Sequence, residues 1–263
     1  MYSRLYEKDN YINPNIDFLV SNFIREYDIR KANISILRSK GYINEKEYNY
    51  YASLKDRSVV VGHLLKENEE MNNALTLGFK EYRQKFFESN NIQDNEVLAI
   101  RKDAIYLINR EVYNTAFDYV NFICKNTYTS YYKYGRYEFY YGYDRIRDIE
   151  TFDVKGMQKS VYLHDNYFNE LLKCVFECAE VDLKEAIQIL TTFLNNFMKR
   201  EINDEFYREY NDNSLYKLAY NGYMNYSIQH LMNINIELMD VSYNRRFIET
   251  LLSYYSRLLL QQI

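Results

Sequence analysis

Histidine, cysteine, proline and tryptophan are scarce or missing in this chain. Its 263 residues include 3 His, 3 Cys, 1 Pro and no Trp. His63, His164 and His230 are scattered, which argues against a zinc or iron centre built on histidine. Cys124, Cys174 and Cys178 are odd in number and lack paired metal-ligand spacing. Cys174 and Cys178 stand one helical turn apart, a spacing that suits core packing, and a reducing cytoplasm is the default compartment. Pro14 is the only proline, and no Gly/Ser tract, low-complexity linker or internal repeat interrupts the sequence. Long apolar runs are absent too. None approaches the ~18 residues a membrane span needs, so no membrane association is expected. The opening MYSRLYEKDN has no apolar h-region, so no secretory signal is expected.

A strong charge of one sign is also lacking. The net charge is −4, from 33 Lys/Arg against 37 Asp/Glu. The acidic excess lies in residues 151–263, while residues 1–150 balance. This excludes a free-standing, strongly basic nucleic-acid binder but leaves room for a local groove. What is present is 47% apolar and 27% charged residues, enough for a sizeable core under a solvated surface, in one large or two small domains. The 31 tyrosines fit the codon usage of an AT-rich genome. Tyrosines can stack on bases, but each one also serves as an ordinary amphipathic residue.

The pattern along the chain is mixed in front and helical behind. Residues 20–28 read as a strand ending at Asp28, and residues 29–40 as a turn and short helix closed by Gly41. From there to about residue 90, apolar residues recur every three to four positions, at Leu64, Leu65, Met71, Leu75, Phe79, Phe86 and Phe87, which predicts helix. Residues 97–108, VLAIRKDAIYLI, are two apolar runs around a polar break, a hairpin with Asp103 at its turn. Residues 112–123 are expected to form a helix running into a strand. In YTSYYKYGRYEFYYGYD, alternation around Gly135-Arg136 predicts a second hairpin. Further on, Asp182 with Glu185 makes a capping box. Leu183, Ala186, Ile187, Leu190, Phe193, Leu194 and Phe197 then form an apolar stripe, and Phe247 to Leu259 mark a last helix. The expected fold class is α+β: a small antiparallel sheet with a helical insert at 42–95, making a domain over 1–160, then a helical domain over 161–263.

Two-metal phosphoryl transfer needs few protein groups: two carboxylates from different strands hold two divalent ions ~3.5–4 Å apart. One acid at a strand end and another at a hairpin turn would converge on one open face. Asp28 and Asp103 fit that arrangement. Glu26, two residues before Asp28 on the same strand face, could assist a metal or be solvated.

The stretch D28-I-R-K-A-N-I-S-I-L37 resembles the first palm motif of family B DNA polymerases, with Asp28, Ser35 and Ile36 matching. Asn33 stands where that family has its sugar-screening tyrosine, and Ile34 where it has proline. The hairpin resembles the family's third motif: Asp103 matches the second turn aspartate, and Arg101 occupies the position of the first. K125-N-T-Y128 resembles the Lys/Tyr strand that grips the primer backbone, and D153-V-K-G156 the Lys-Gly step into the thumb. The fingers motif has only a loose counterpart in Lys66, Asn72, Asn73 and Leu77-Gly78. The family's arginines after the Lys-Gly step have no counterpart in M157-Q-K-S-V-Y-L-H-D165, and its exonuclease and N-terminal domains have none in the chain.

The resemblance covers roughly residues 20–260. It implies a palm-like sheet with a short fingers-like insert and a helical thumb-like region. It implies a nucleotidyltransferase, a DNA-directed DNA polymerase fragment or subunit in a phage replication complex, in the cytoplasm of a bacterial cell. Asp28 and Asp103 would be catalytic and would hold Mg²⁺ or Mn²⁺; Lys66, Lys125, Tyr128, Lys155 and Gly156 would contact a DNA primer-template and dNTP. A protein partner would supply the missing domains. The alternative is a non-catalytic phage protein that binds partners in an assembly or replication complex. The count of turn acids discriminates the two: an active site of that family keeps both turn aspartates, and here the first is Arg101.

Overall fold

The computed structural model describes residues 3–135, 137–144, 149–156, 173, 175–199, 209–210, 215–219, 223–227 and 260. The chain divides into two compact units, one of residues 1–16 and 22–128, the other of residues 17–21 and 129–263. The expected domain boundary near residue 160 and the last helix over 247–259 lie outside the described residues.

The first unit is built on a six-stranded antiparallel sheet. Its strands are β1 (Asn10–Ile12), β3 (Ile24–Ile29), β4 (Val97–Arg101), β5 (Ala104–Ile108), β6 (Ala116–Phe117) and β7 (Val120–Tyr128), in the order β1-β4-β5-β3-β7-β6. Four helices connect β3 to β4: α1 (Ala32–Ser39), α2 (Glu45–Ser53), α3 (Arg57–Glu67) and α4 (Glu69–Ser89). Strand alternation sorts the side chains. Tyr27 and Ile29 of β3, Ile105 and Leu107 of β5, and Phe122 of β7 join one core with Ile36, Leu75, Phe79 and Phe86 of the helices. The intervening residues, Glu26 and Asp28 on β3 and Tyr106 on β5, lie on the other face. The helices thus cover one side of the sheet and leave the acids on the other.

Local chemistry explains the helix limits. Asn44 caps α2 through a reciprocal box with Glu47, and Asn68 accepts from the Met71 N–H at the start of α4. Gly41, at φ +77, closes α1 as its spacing predicted. Gly78 lets α4 approach α1, since a Cβ there would overlap Ile36 Cγ2.

One element departs from expectation. Residues 113–115 form no regular structure, and no helix precedes β7. Instead Asp118, at φ +52, turns β6 directly into β7, with Phe117 opposite Val120. The hairpin buries Val120 and packs Phe117 against the same core.

In the second unit, β2 (Phe18–Leu19), β8 (Ser130–Tyr134), β9 (Tyr137–Asp144) and β10 (Ile149–Lys155) form an antiparallel sheet, ordered β10-β9-β8-β2. The predicted tyrosine hairpin is present, with Tyr134 opposite Tyr137 and Gly135 at φ +59. Tyr131, Tyr132, Phe139, Tyr140 and Tyr141 are all buried, so they serve as core. Residues 175–181 are helical and stack Phe176 on Tyr141. Helix α5 (Leu183–Lys199) follows Asp182, whose carboxylate accepts the Lys184 N–H, and it buries Ala186 and Leu190 of the anticipated stripe. The region expected to be helical also contains a three-stranded sheet, β11 (Glu209–Tyr210), β12 (Leu215–Ala219) and β13 (Tyr223–Ser227). The antiparallel sheets with a helical insert make the fold α+β. Among the described residues, no helix is long and apolar enough to cross a membrane.

Candidate active site

Three adjacent strands, β5, β3 and β7, assemble the site. Asp28, the penultimate residue of β3, is the register partner of Ala104 on β5 and of Ile123 on β7. Asp103 immediately precedes Ala104 in the β4–β5 turn, so the hairpin delivers it beside Asp28.

That turn is held from several sides. Lys102 adopts φ +54, a left-handed conformation that costs energy for a residue with a side chain. Its N–H donates to Asp9 O at 2.7 Å. Its carbonyl accepts from Arg83 Nη1. Arg83, fully buried on α4, also donates to Tyr6 O at 2.9 Å and to Asp9 Oδ1 at 2.7 Å. The Lys102 ammonium lies over the Phe79 ring, 4.8 Å from its centroid. Lys102 therefore packs back on the helical insert. Sequence reasoning missed Arg83, because an arginine in an amphipathic helix normally reads as a solvated position.

Asp28 is partly buried and electrostatically uneasy. Burial, and then the neighbouring Asp103 charge, push its pKa above the usual carboxylate range, against the opposing pull of Lys125. Its Oδ1 is buried and has no hydrogen-bond partner among the described residues. Its Oδ2 lies 3.4 Å from Lys125 Nζ.

Glu26 is not solvated, as one of its two readings would have it: only 1% of it is exposed. Its carboxylate accepts from Tyr106 Oη at 3.1 Å, Tyr128 Oη at 3.0 Å and Asn126 Nδ2 at 2.6 Å. Lys125 Nζ stands 3.7 Å away. These donors satisfy the buried carboxylate and fix its position. The Lys125 position has a specific cause. Glu26 pairs with Asn126, but Tyr27 pairs with Cys124, so Lys125 is the extra residue of a β-bulge. Strict alternation would turn Lys125 away from the face that Asn126 shares with Glu26. The bulge re-aims it onto the acids.

The other anticipated contact residues are dispersed. Tyr128 is buried, with its hydroxyl on Glu26. Lys66 is exposed in the last turn of α3. Lys155 ends β10 in the second unit and pairs with Asp153 at 2.5 Å, and Gly156 follows at φ +82. Arg101, at the position of the family's first turn acid, lies opposite Asn10 and Ala104. Among the described residues, no group of three or more His, Cys, Asp or Glu forms a metal cradle. Two carboxylates close enough to feel each other's charge, one with a buried oxygen that has no hydrogen-bond partner among the described residues, are nevertheless a donor set that suits a hard divalent cation.

Antiparallel sheets with a helical insert place the protein in the α+β class. A family model described as "Bacteriophage PBS1 gene 130 protein" matches residues 1–256, and the chain belongs to that bacteriophage protein family. No curated protein matches the chain.

Proposed function

We propose that this phage protein carries out metal-dependent nucleotidyl transfer on a DNA primer-template, as a reduced polymerase palm and thumb working with a partner that supplies further domains. The observation that carries this reading is the delivery of Asp103 by a braced turn to the side of Asp28, on the sheet face away from the helices. Family B polymerases, which the motifs resemble, use that placement of acids.

Asp28 and Asp103 would hold Mg²⁺ or Mn²⁺. A bound divalent ion would neutralise charge developing on the transferred phosphoryl group. In the reaction, the primer 3′-hydroxyl attacks the α-phosphorus of a dNTP and pyrophosphate leaves. The chain's own part is positioning. The β4–β5 turn would fix Asp103, Glu26 would orient Lys125, and Lys125 would contact the nucleic-acid backbone; Lys155 and Gly156, in the second unit, are further candidates for backbone contact. Lys66, exposed on the helical insert, would contact the incoming nucleotide. Tyr128 shapes the site from beneath through Glu26.

One observation favours a second reading. Arg101 replaces an acid, and Lys125 already pairs with Asp28, as in a site that has exchanged metal for an internal ion pair. The protein would then act by binding partners in an assembly or replication complex. Primer extension in Mg²⁺ and in Mn²⁺ separates the two. We expect weak nucleotide addition, abolished by Asp28→Asn and by Asp103→Asn. Addition that survives in both variants contradicts the catalytic reading, as does a lack of metal-dependent addition and of DNA binding under every partner condition.

A further inference from the structure

We infer that Lys125 is a resident counter-cation of Asp28, moored by Glu26, which a divalent cation must displace and which then takes a phosphate oxygen of the nucleic acid. The inference rests on the metal-dependent reading above and adds a coupling between metal and phosphate that the reading does not contain.

The geometry has three parts. Lys125 Nζ lies between two carboxylates, 3.4 Å from Asp28 Oδ2 and 3.7 Å from Glu26 Oε1. Only Glu26 is fixed: it is buried, and Tyr106, Asn126 and Tyr128 hold its oxygens. Lys125 itself is half exposed, with 50% of its side chain open to solvent. Its mooring is therefore rigid while its ammonium group can move. The bulge in β7 is what puts the ammonium there, at a local cost in strand pairing.

The consequence follows from charge. An ammonium at Asp28 supplies the neutralisation that a divalent ion would otherwise supply, so the two compete for one carboxylate. A dication beside Asp28 also repels the ammonium. Lys125 is then left with Glu26 alone and can also take a phosphate oxygen of a primer-template. Metal and phosphate backbone therefore bind cooperatively, and each raises the affinity for the other. Without nucleic acid, the ion pair holds metal affinity down.

The test uses the full chain and Mn²⁺, read by the loss of the free-ion EPR signal, together with acetic anhydride acylation of Lys125 mapped by mass spectrometry. Lys125→Met should bind Mn²⁺ at least about fivefold more tightly than wild type, the effect of removing one like charge at about 4 Å even at the dielectric constant of water. The same variant should lose affinity for primer-template DNA. Acylation of wild-type Lys125 should rise several-fold on adding Mn²⁺, and Asp28→Asn should raise it without metal. Equal or weaker Mn²⁺ binding by Lys125→Met, or acylation unchanged by Mn²⁺ and by Asp28→Asn, overturns the counter-cation while leaving the metal site standing. Absence of saturable Mn²⁺ binding in both wild type and Lys125→Met overturns the metal-dependent reading itself, and the inference with it.

Discussion

Asp28 pairs across the sheet with Ala104, and the residue before Ala104 is Asp103, whose charge adds to the effect of burial in raising the pKa of Asp28. The fold thus brings two like charges together, and stability alone gives no reason for it.

A signature in stability follows. The folded-state pKa of Asp28 lies above its unfolded value, so folding favours the protonated acid. That contribution is fully present below the unfolded carboxylate pKa and is lost as pH rises through the folded value. At neutral pH the ionised Asp28 therefore costs stability. Asp28→Asn should raise Tm at pH 7, and the gain should shrink towards zero as pH falls below the ordinary carboxylate range. Melting curves across pH check this; a lower Tm for the variant at pH 7 contradicts it.

A change at Glu26 should destabilise the protein through lost hydrogen bonds. Gln at this position keeps the shape but presents an amide donor to Tyr106, Asn126 and Tyr128, all of which already donate. Glu26→Gln should cost about 1–3 kcal/mol in urea unfolding, the penalty of an unsatisfied buried polar group.

Arg83 should matter to the turn at a distance. Arg83→Met leaves Tyr6 O, Lys102 O and Asp9 without its donors. The loss should be about 2–4 kcal/mol. Hydrogen exchange should rise at the Lys102 amide, which Asp9 O holds, more than at the α2 amides.

The close approach of α1 and α4 gives a fourth test. Gly78→Ala places a Cβ against Ile36 on the helix that follows Asp28. Overpacking of this kind costs about 1–3 kcal/mol. An unchanged unfolding midpoint would mean that α1 yields freely.

Much of this was legible in the sequence. Asp28 at a strand end, Asp103 at a hairpin turn, Gly41 as a helix stop and the apolar stripe of α4 all follow from period and turn chemistry. Three features were not legible, each for a physical reason. The bulge at Lys125 leaves no mark, because an extra strand residue looks like any other. Arg83 is buried because backbone carbonyls come to it from remote segments, which no local pattern encodes. The β6–β7 hairpin is not legible because its turn, Asp118-Tyr119, carries no glycine to mark the left-handed position that Asp118 adopts.

The measurement that bears most directly on the central claim is a crystal structure of the protein soaked in Mn²⁺, with anomalous scattering used to locate the ion. The account predicts an anomalous peak within coordination distance of both the Asp28 and Asp103 carboxylates, with the Lys125 ammonium moved off Asp28. Density showing Lys125 still paired with Asp28 at saturating Mn²⁺, and no peak between the two aspartates, would contradict it.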